Sequence, residues 1–177
     1  MNGHPGGAEH TRRMLALAEL PAGARVLDMG AGAGEAVAVL SSLGYRAEGI
    51  DLRPRSDRIR EGNFLAAPYP DGSFDAVLIA NALHIVPDPQ KALREISRVL
   101  RPGGLLIAPT FVEHKGTLGS RIWSRILRIA GIRFEHQWSA QEYLKFLEDN
   151  GWKVEFSKEM AARIALMYTE CREAEKK

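Results

Sequence analysis

A glycine-rich loop, VLDMGAGAG at residues 26–34, constrains the fold more than any other segment of this sequence. The stretch Val26–Met29, apolar except for Asp28, predicts a short strand that runs directly into the loop. The stretch Ala33–Leu43, rich in alanine and valine, predicts a helix that ends at Gly44. Glycines at alternate positions remove side chains, so that a ligand can approach the backbone at the helix N-terminus. These glycines are Gly30, Gly32 and Gly34.

Two acidic residues indicate what the loop binds. Asp51 stands 17 positions after Gly34, at the end of the next predicted strand, where a carboxylate can accept both hydroxyls of a ribose. Dinucleotide sites use the spacing G-x-G-x-x-G and direct the helix dipole at a pyrophosphate. Here the spacing is G-x-G-x-G, and Asp28 lies two residues before the first glycine. Its carboxylate would repel a pyrophosphate and suits a ligand that carries an ammonium group and a sulfonium cation.

Strands and helices alternate along the rest of the chain, which predicts a mostly parallel sheet covered by helices on both faces. The seven predicted strands are Val26–Met29, Tyr45–Asp51, Arg60–Asn63, Phe74–Ala80, Leu105–Thr110, Trp152–Ser157 and Arg163–Thr169. The predicted helices are Ala8–Leu20, Ala33–Leu43, one that begins at Asp88-Pro89, Leu118–Ile132, and one that begins at a Ser139–Glu142 capping box. Too few residues separate the last two strands for a crossover helix, so we expect an antiparallel hairpin there.

Four motifs, in this order, resemble those of the class I S-adenosylmethionine-dependent methyltransferases. The glycine loop has the form of the family's first motif, and residues 70–75, PDGSFD, are similar to its approach to the fourth strand. Residues 82–84 with 87–89 resemble the loop after that strand, and LRPGG at 100–104 resembles the start of the fifth. The whole is most similar to the small-molecule methyltransferases of ubiquinone and menaquinone biosynthesis.

The resemblance implies a three-layer Rossmann-like methyltransferase fold, whose seven-stranded, mostly parallel sheet has an antiparallel last strand. It also implies S-adenosylmethionine as the cofactor. The cofactor-binding residues it implies are Asp28, Gly30, Ala31, Gly32, Gly34, Asp51, Leu52, Asn63, Phe64 and Asn81.

The sequence departs from the family in two places. The family usually has an aspartate after the third strand for the adenine amino group, whereas Asn63 stands here. An amide oxygen can still accept a hydrogen bond from that amine. The connection after Asp51 is short, polar and contains Pro54, so we expect no long helix on this side of the adenine pocket.

Methyl transfer from a sulfonium is an in-line displacement, in which the enzyme mainly aligns the reacting atoms and excludes water. A general base helps only where the nucleophile must lose a proton. His84 is the candidate catalytic residue, because it follows the fourth strand at the ligand-binding edge of the sheet. The alternative is a histidine that packs or anchors its loop. His114 and His136 flank the segment between strands five and six, and the scattered histidines predict no metal site.

The segment Leu118–Ile132 combines a basic stripe with an apolar stripe. The basic residues are Arg121, Arg125 and Arg128, and the apolar residues are Leu118, Ile122, Ile126 and Ile129. Three interpretations stay open: an amphipathic helix with a solvated face, a lid over an apolar or anionic acceptor, and a helix in weak contact with a membrane surface. We expect residues 111–138 to form a lid insertion, and residues 1–24 an N-terminal helix and cap.

Composition limits the remaining possibilities. The chain has 177 residues, which suits one methyltransferase domain. Its net charge of +2 gives no electrostatic reason to expect nucleic acid. A small molecule as the acceptor is what the resemblance implies. Cys171 is the only cysteine and the N-terminus lacks an apolar signal-peptide core, from which we expect a cytoplasmic protein. Two alternatives remain: another nucleotide-binding Rossmann enzyme, such as an oxidoreductase, and a catalytically inactive S-adenosylmethionine-binding regulatory protein.

Overall fold

The structure, a computed structural model, describes residues 7–112, 135–160 and 166–173. Its helices are α1 (Gly7–Leu17), α2 (Glu35–Ser42), α3 (Pro89–Val99) and α4 (Ala140–Asp149). Its strands are β1 (Arg25–Met29), β2 (Arg46–Asp51), β3 (Arg60–Glu61), β4 (Phe74–Leu78), β5 (Leu100–Ile107), β6 (Thr110–Phe111), β7 (Trp152–Met160) and β8 (Leu166–Glu173). A short 3₁₀ helix covers Phe64–Ala66.

The strands form one twisted sheet in the order β3-β2-β1-β4-β5-β8, and the first five of these run parallel. Strand β8 runs antiparallel to β5 and β6 along one edge and to β7 along the other. Within the described residues the sheet has eight strands, so the predicted count of seven is wrong. The predicted fifth strand is divided between β5 and β6 by Ala108-Pro109, because proline has no N–H to donate to a ladder.

Helix termini follow the local signals in the sequence. Asp88 caps α3, where its carboxylate accepts the backbone N–H of Lys91 at 2.8 Å. Ser139 and Glu142 form the predicted capping box at the start of α4. Helix α2 begins two residues later than predicted, because Gly34 precedes it with a left-handed φ of 82°.

The core lies on both faces of the sheet, which confirms the predicted three layers. Along β1 the side chains alternate: Val26 packs with α1 and α2 on one face, whereas Leu27 packs with α3 and α4 on the other. Alternation of this kind follows from the two-residue period of a strand. The carboxyl ends of the parallel strands are thereby left between two helical layers, at the edge where open α/β sheets bind ligands.

The connection between β2 and β3 contains no helix, whereas the sequence predicted only that a long one is absent. Parallel strands ordinarily need a crossover of a dozen or more residues, and here residues 52–59 suffice. Ile59 packs against the sheet in place of a crossover helix, and only 4% of its surface is exposed. Its Cδ1 atom lies 2.9 Å from where a Cβ would stand on Gly34 and 2.7 Å from that position on Gly49. Glycine at both positions therefore lets the short loop close against the sheet.

Several predictions concern residues that the structure does not describe. The segment Leu118–Ile132, with its two stripes, lies outside the described residues, and so does most of the predicted lid insertion at 111–138. Residues 1–6 of the predicted N-terminal cap also lie outside them. Among the helices that are described, none combines the length and the apolar character that a membrane crossing requires.

Candidate active site

The glycine loop is held against the neighbouring strand by backbone hydrogen bonds. The N–H groups of Gly30 and Ala31 both donate to the carbonyl oxygen of Ile50, at 2.9 and 3.2 Å. The three glycines have φ angles of 82°, 54° and 82°. A residue with a Cβ would pay about 1–2 kcal/mol for each such left-handed conformation. The loop therefore needs its glycines for the shape of its backbone.

Asp51 is fixed at the end of β2 by two backbone amides. Its Oδ2 accepts the N–H of Gly32 at 2.9 Å, and its Oδ1 accepts the N–H of Arg53 at 2.8 Å. A carboxylate has about four lone-pair sites, so each oxygen keeps one for a further donor. The half-buried side chain is thus preset to accept two hydroxyl groups that lie side by side.

Asp28 is a buried carboxyl group at the end of β1, with 3% of its surface exposed. Burial raises its pKa to about 7, and the charge of Asp51 adds to that effect. No side chain or amide of the described residues donates a hydrogen bond to it. A buried carboxylate without a partner is costly, and a cation placed against it would remove much of that cost.

Asn81 stands beyond the end of β4, the strand that pairs with β1. Its backbone N–H donates to the carbonyl oxygen of Pro109 at 2.9 Å, and its φ of 53° is unusual for a residue other than glycine. The side-chain Oδ1 atom is buried and has no hydrogen-bond partner within the described residues. An unsatisfied buried acceptor costs about 1–3 kcal/mol. Strain together with an unpaired oxygen is typical of a binding site.

The remaining predicted cofactor residues lie around these groups. Leu52 is 57% exposed directly after Asp51, whereas Phe64 is buried with its Cε1 atom 3.9 Å from the Cβ position of Gly30. Asn63 is exposed and caps the 3₁₀ helix, where its Oδ1 accepts the N–H of Leu65 at 2.9 Å. The oxygen considered for adenine therefore already has one donor, and a second lone pair remains.

His84 is buried, with 3% of its surface exposed, and its Nδ1 lies 3.0 Å from Oγ1 of Thr110. Its carbonyl oxygen accepts the backbone N–H of His136 at 3.0 Å. Burial lowers the pKa of its imidazole to about 4, so the ring is neutral at neutral pH and a weak proton acceptor. Of the two interpretations of His84, this geometry favours the anchoring one.

An arginine that sequence reasoning missed fixes the loop ahead of β4. One guanidinium nitrogen of Arg98 donates to the carbonyl oxygen of Tyr69 at 2.8 Å, and the other donates to that of Ala67 at 2.9 Å. The same side chain pairs with Glu95 and Asp71, which raises the pKa of the Arg98 guanidinium above its ordinary value. The contacts join loop and helix across about 30 positions of sequence, so no local pattern signals them.

Comparisons with known proteins agree with this geometry. Residues 27–108 match a family model described as a methyltransferase domain. The chain is 35% identical to a demethylmenaquinone methyltransferase of Thermus thermophilus over 75% of its own length and 70% of the relative's. It is 28% identical to the 27-O-demethylrifamycin SV methyltransferase of Amycolatopsis mediterranei, over 92% of this chain and 66% of that one.

The fold is also similar to a solved structure with bound ligands. The 1,6-didemethyltoxoflavin-N1-methyltransferase of Burkholderia thailandensis, which contains S-adenosylhomocysteine, superposes with a TM-score of 0.75 at 19% identity. The match covers 93% of this chain and 78% of that chain. Fold, motif order and the Thermus relative together lead to one conclusion: the chain belongs to the class I S-adenosylmethionine-dependent methyltransferases.

Proposed function

We propose that this chain transfers the methyl group of S-adenosylmethionine to a small-molecule acceptor, with the cofactor held at the carboxyl ends of β1, β2 and β4. One observation carries the proposal. The Oδ1 atom of Asn81 is a buried acceptor without a donor among the described residues, and the buried carboxyl group of Asp28 lies near the end of the neighbouring strand, beside the glycine loop. The ammonium group of S-adenosylmethionine supplies a donor for the amide oxygen and a positive charge for the carboxylate.

The other predicted residues have compatible roles. Asp51 keeps one free lone pair on each oxygen for the two ribose hydroxyls. Leu52 and Phe64 offer apolar surface on the adenine side, and Asn63 offers a polar edge there. Gly30 and Ala31 bind the carbonyl oxygen of Ile50, and the left-handed φ angles of Gly30, Gly32 and Gly34 shape the loop beside Asp51, where the cofactor would lie. The bound cofactor supplies a methyl group already activated by its sulfonium.

The chain's own residues then align the reactants and exclude water. The reaction asks little acid–base chemistry of the protein, because the methyl carbon is already electrophilic. A buried His84 with a pKa of about 4 is a poor base at neutral pH. We therefore assign it a structural role on the acceptor side of the site. In this scheme the rate depends on how the acceptor is aligned with the methyl group, and not on a proton transfer to His84.

We place the acceptor beside the two ends of the segment 111–138. Thr110 just before this segment and His136 within it both bond to His84, so the chain leaves and returns beside the loop after β4. This supports a single domain in which the insertion covers the acceptor. The named relatives act on demethylmenaquinone and 27-O-demethylrifamycin SV, which supports a small molecule as the acceptor class.

Calorimetry tests the proposed cofactor site. The wild-type chain should bind S-adenosylhomocysteine and leave NAD unbound. Asp51→Ala should weaken the binding of S-adenosylhomocysteine by roughly 1.5–3 kcal/mol, because charge-assisted hydrogen bonds to the ribose are lost. Asp57→Ala is the matched control, since it removes an exposed carboxylate from the same loop. Binding of NAD, or equal affinity in both variants, would contradict the assignment.

Transfer of labelled methyl groups separates an enzyme from an inactive binding protein. A panel of acceptors that includes demethylmenaquinone should give at least one methylated product with the wild-type chain. Tight binding of S-adenosylhomocysteine without transfer to any member of a broad panel of oxygen, nitrogen, carbon and sulfur acceptors would favour the regulatory alternative.

A further inference from the structure

The side chain of Arg55 lies over the middle glycine of the loop. A Cβ added to Gly32 would stand 3.1 Å from the Nη2 atom of Arg55 and 3.9 Å from its Nε. The backbone of the same residue is fixed as well, because its N–H donates to the carbonyl oxygen of Gly32 at 2.9 Å. Pro54 precedes it and restricts the chain at that point. The residue is exposed, with its backbone hydrogen-bonded to Gly32 and its guanidinium next to the same glycine.

No carboxylate of the described residues lies within ion-pair distance of Arg55. Its five N–H donors and its planar face are not used by a protein partner there. Arg98 and Arg101 pair with acidic side chains, whereas Arg53 and Arg58 of the same loop resemble Arg55 in forming no ion pair among the described residues. Arg55 differs from these two in its place beside Gly32. A planar cation positioned at the glycine loop without an acidic partner is suited to a ligand group.

The position of Gly32 indicates which part of the cofactor that group belongs to. Its N–H donates to Oδ2 of Asp51, the carboxylate that we assign to the ribose. The guanidinium thus stands on the ribose side of the loop. Asp28, which we assign to the ammonium group, lies on the other side of the first glycine, at the end of β1.

The position of Arg55 is important because the loop after β2 is short. A helix does not follow β2, and Leu52 is 57% exposed. The adenosine half of the cofactor would therefore meet loop residues alone on this side. A guanidinium stacks on aromatic rings and donates hydrogen bonds to ring nitrogens or hydroxyls. It can therefore cover the adenosine half on the side where no helix follows β2.

We propose that Arg55 is a cofactor-binding residue, whose guanidinium covers the adenosine half of S-adenosylmethionine where this chain lacks a helix after β2. The proposal rests on the proposed function, since it places the cofactor at the same loop. It adds a residue that neither the glycine pattern nor the acid at the end of β2 identifies.

Calorimetry with the full chain tests it, using S-adenosylhomocysteine and 5′-methylthioadenosine, which lacks the amino-acid half. Arg55→Ala should weaken both ligands by a similar factor, about fivefold to tenfold. Arg55→Lys should regain little of the loss, because an ammonium group has no planar face. Arg58→Ala, which removes the same charge from the same loop, is the matched control and should stay within about twofold of the wild type.

Each outcome decides between alternatives. Equal affinities of Arg55→Ala and Arg58→Ala would overturn the proposal while the proposed function stands. A loss for S-adenosylhomocysteine alone would also overturn it, because Arg55 would then bind the amino-acid half. Failure of the wild-type chain to bind either ligand would reject the proposed function and this assignment with it. Unchanged melting temperatures and circular dichroism of the variants confirm that only binding is compared.

Discussion

Nδ1 of His84 and Oγ1 of Thr110 lie 3.0 Å apart, and both side chains are almost fully buried. The contact joins the loop after β4 to β6, the short strand that follows Pro109. Burial lowers the pKa of His84 from 6.5 to about 4, so the folded state favours the neutral ring. The stability that this gives is complete above pH 6.5 and is lost as the pH falls toward 4.

The first prediction concerns His84→Gln. At pH 7 the variant should be less stable than the wild type, because it loses the contact with Thr110. At pH 4.5 the difference in unfolding free energy should shrink by about 2–3 kcal/mol, because only the wild type pays for a buried imidazole that resists protonation. Urea unfolding at the two pH values measures this. A difference that is the same at both would show that His84 does not titrate as described.

A second prediction concerns cofactor binding and Asp28. Its pKa is raised to about 7 in the free protein, whereas a bound ammonium group favours the ionised form. Affinity for S-adenosylhomocysteine should therefore increase from pH 6 to pH 8, by up to about tenfold per pH unit below 7. Calorimetry at several pH values measures the trend.

Two controls accompany that titration. Asp28→Asn should bind more weakly at pH 8 and lose the dependence on pH. 5′-Methylthioadenosine has no ammonium group, so its affinity for the wild-type chain should be nearly constant over the same range. A pH dependence that persists in Asp28→Asn would assign the titrating group elsewhere.

A third prediction separates binding from stability at Asn81. Glycine adopts the observed φ of 53° without strain and leaves no buried oxygen unpaired. Asn81→Gly should therefore be at least as stable as the wild type, although glycine costs about 0.4–1 kcal/mol of chain entropy. Its affinity for S-adenosylhomocysteine should fall by about fivefold or more, since one hydrogen bond to the ligand is lost. A melting temperature well below that of the wild type would mean that Oδ1 is satisfied in the folded protein.

The fourth prediction compares two adjacent glycines at the start of β5. Gly103→Val should lose about 1–2 kcal/mol from its φ of 73°, because a Cβ there has open space around it. Gly104→Val should lose more, since its Cβ would lie 2.9 Å from the carbonyl oxygen of Arg101 and 3.2 Å from that of Asp75. Thermal unfolding ranks the two, and neither change should alter affinity for S-adenosylhomocysteine. The opposite ranking would show that the backbone relaxes around Gly104.

Local signals in the sequence account for the parts of this molecule that were predicted correctly. The glycine loop, the Asp88 cap and the Ser139 capping box each depend on residues within a few positions of one another. The alternation of strand and helix predicts the layers, because a buried parallel strand and an amphipathic helix differ in period. The polar residues and Pro54 after Asp51 predict no long helix there, and the structure has no helix between β2 and β3.

Long-range packing accounts for the parts that sequence could not provide. Strand β5 begins at Leu100 because that residue pairs with Phe74 on β4, and residues 101–104 then bulge before the pairing resumes. The position of Arg55 over Gly32 depends on the path of a whole loop. For His84 the sequence left two interpretations, and only its burial beside Thr110 distinguishes them.

The attachment of both Thr110 and His136 to His84 has a consequence for engineering. The separation of these two flanks is set by the rest of the domain, whatever sequence lies between them. Because the entropy of closing a loop grows only slowly with its length, segments from other methyltransferases can be grafted between the flanks at small cost. If that segment contacts the acceptor, as we propose, such grafts should change acceptor preference and leave the cofactor loop as it is.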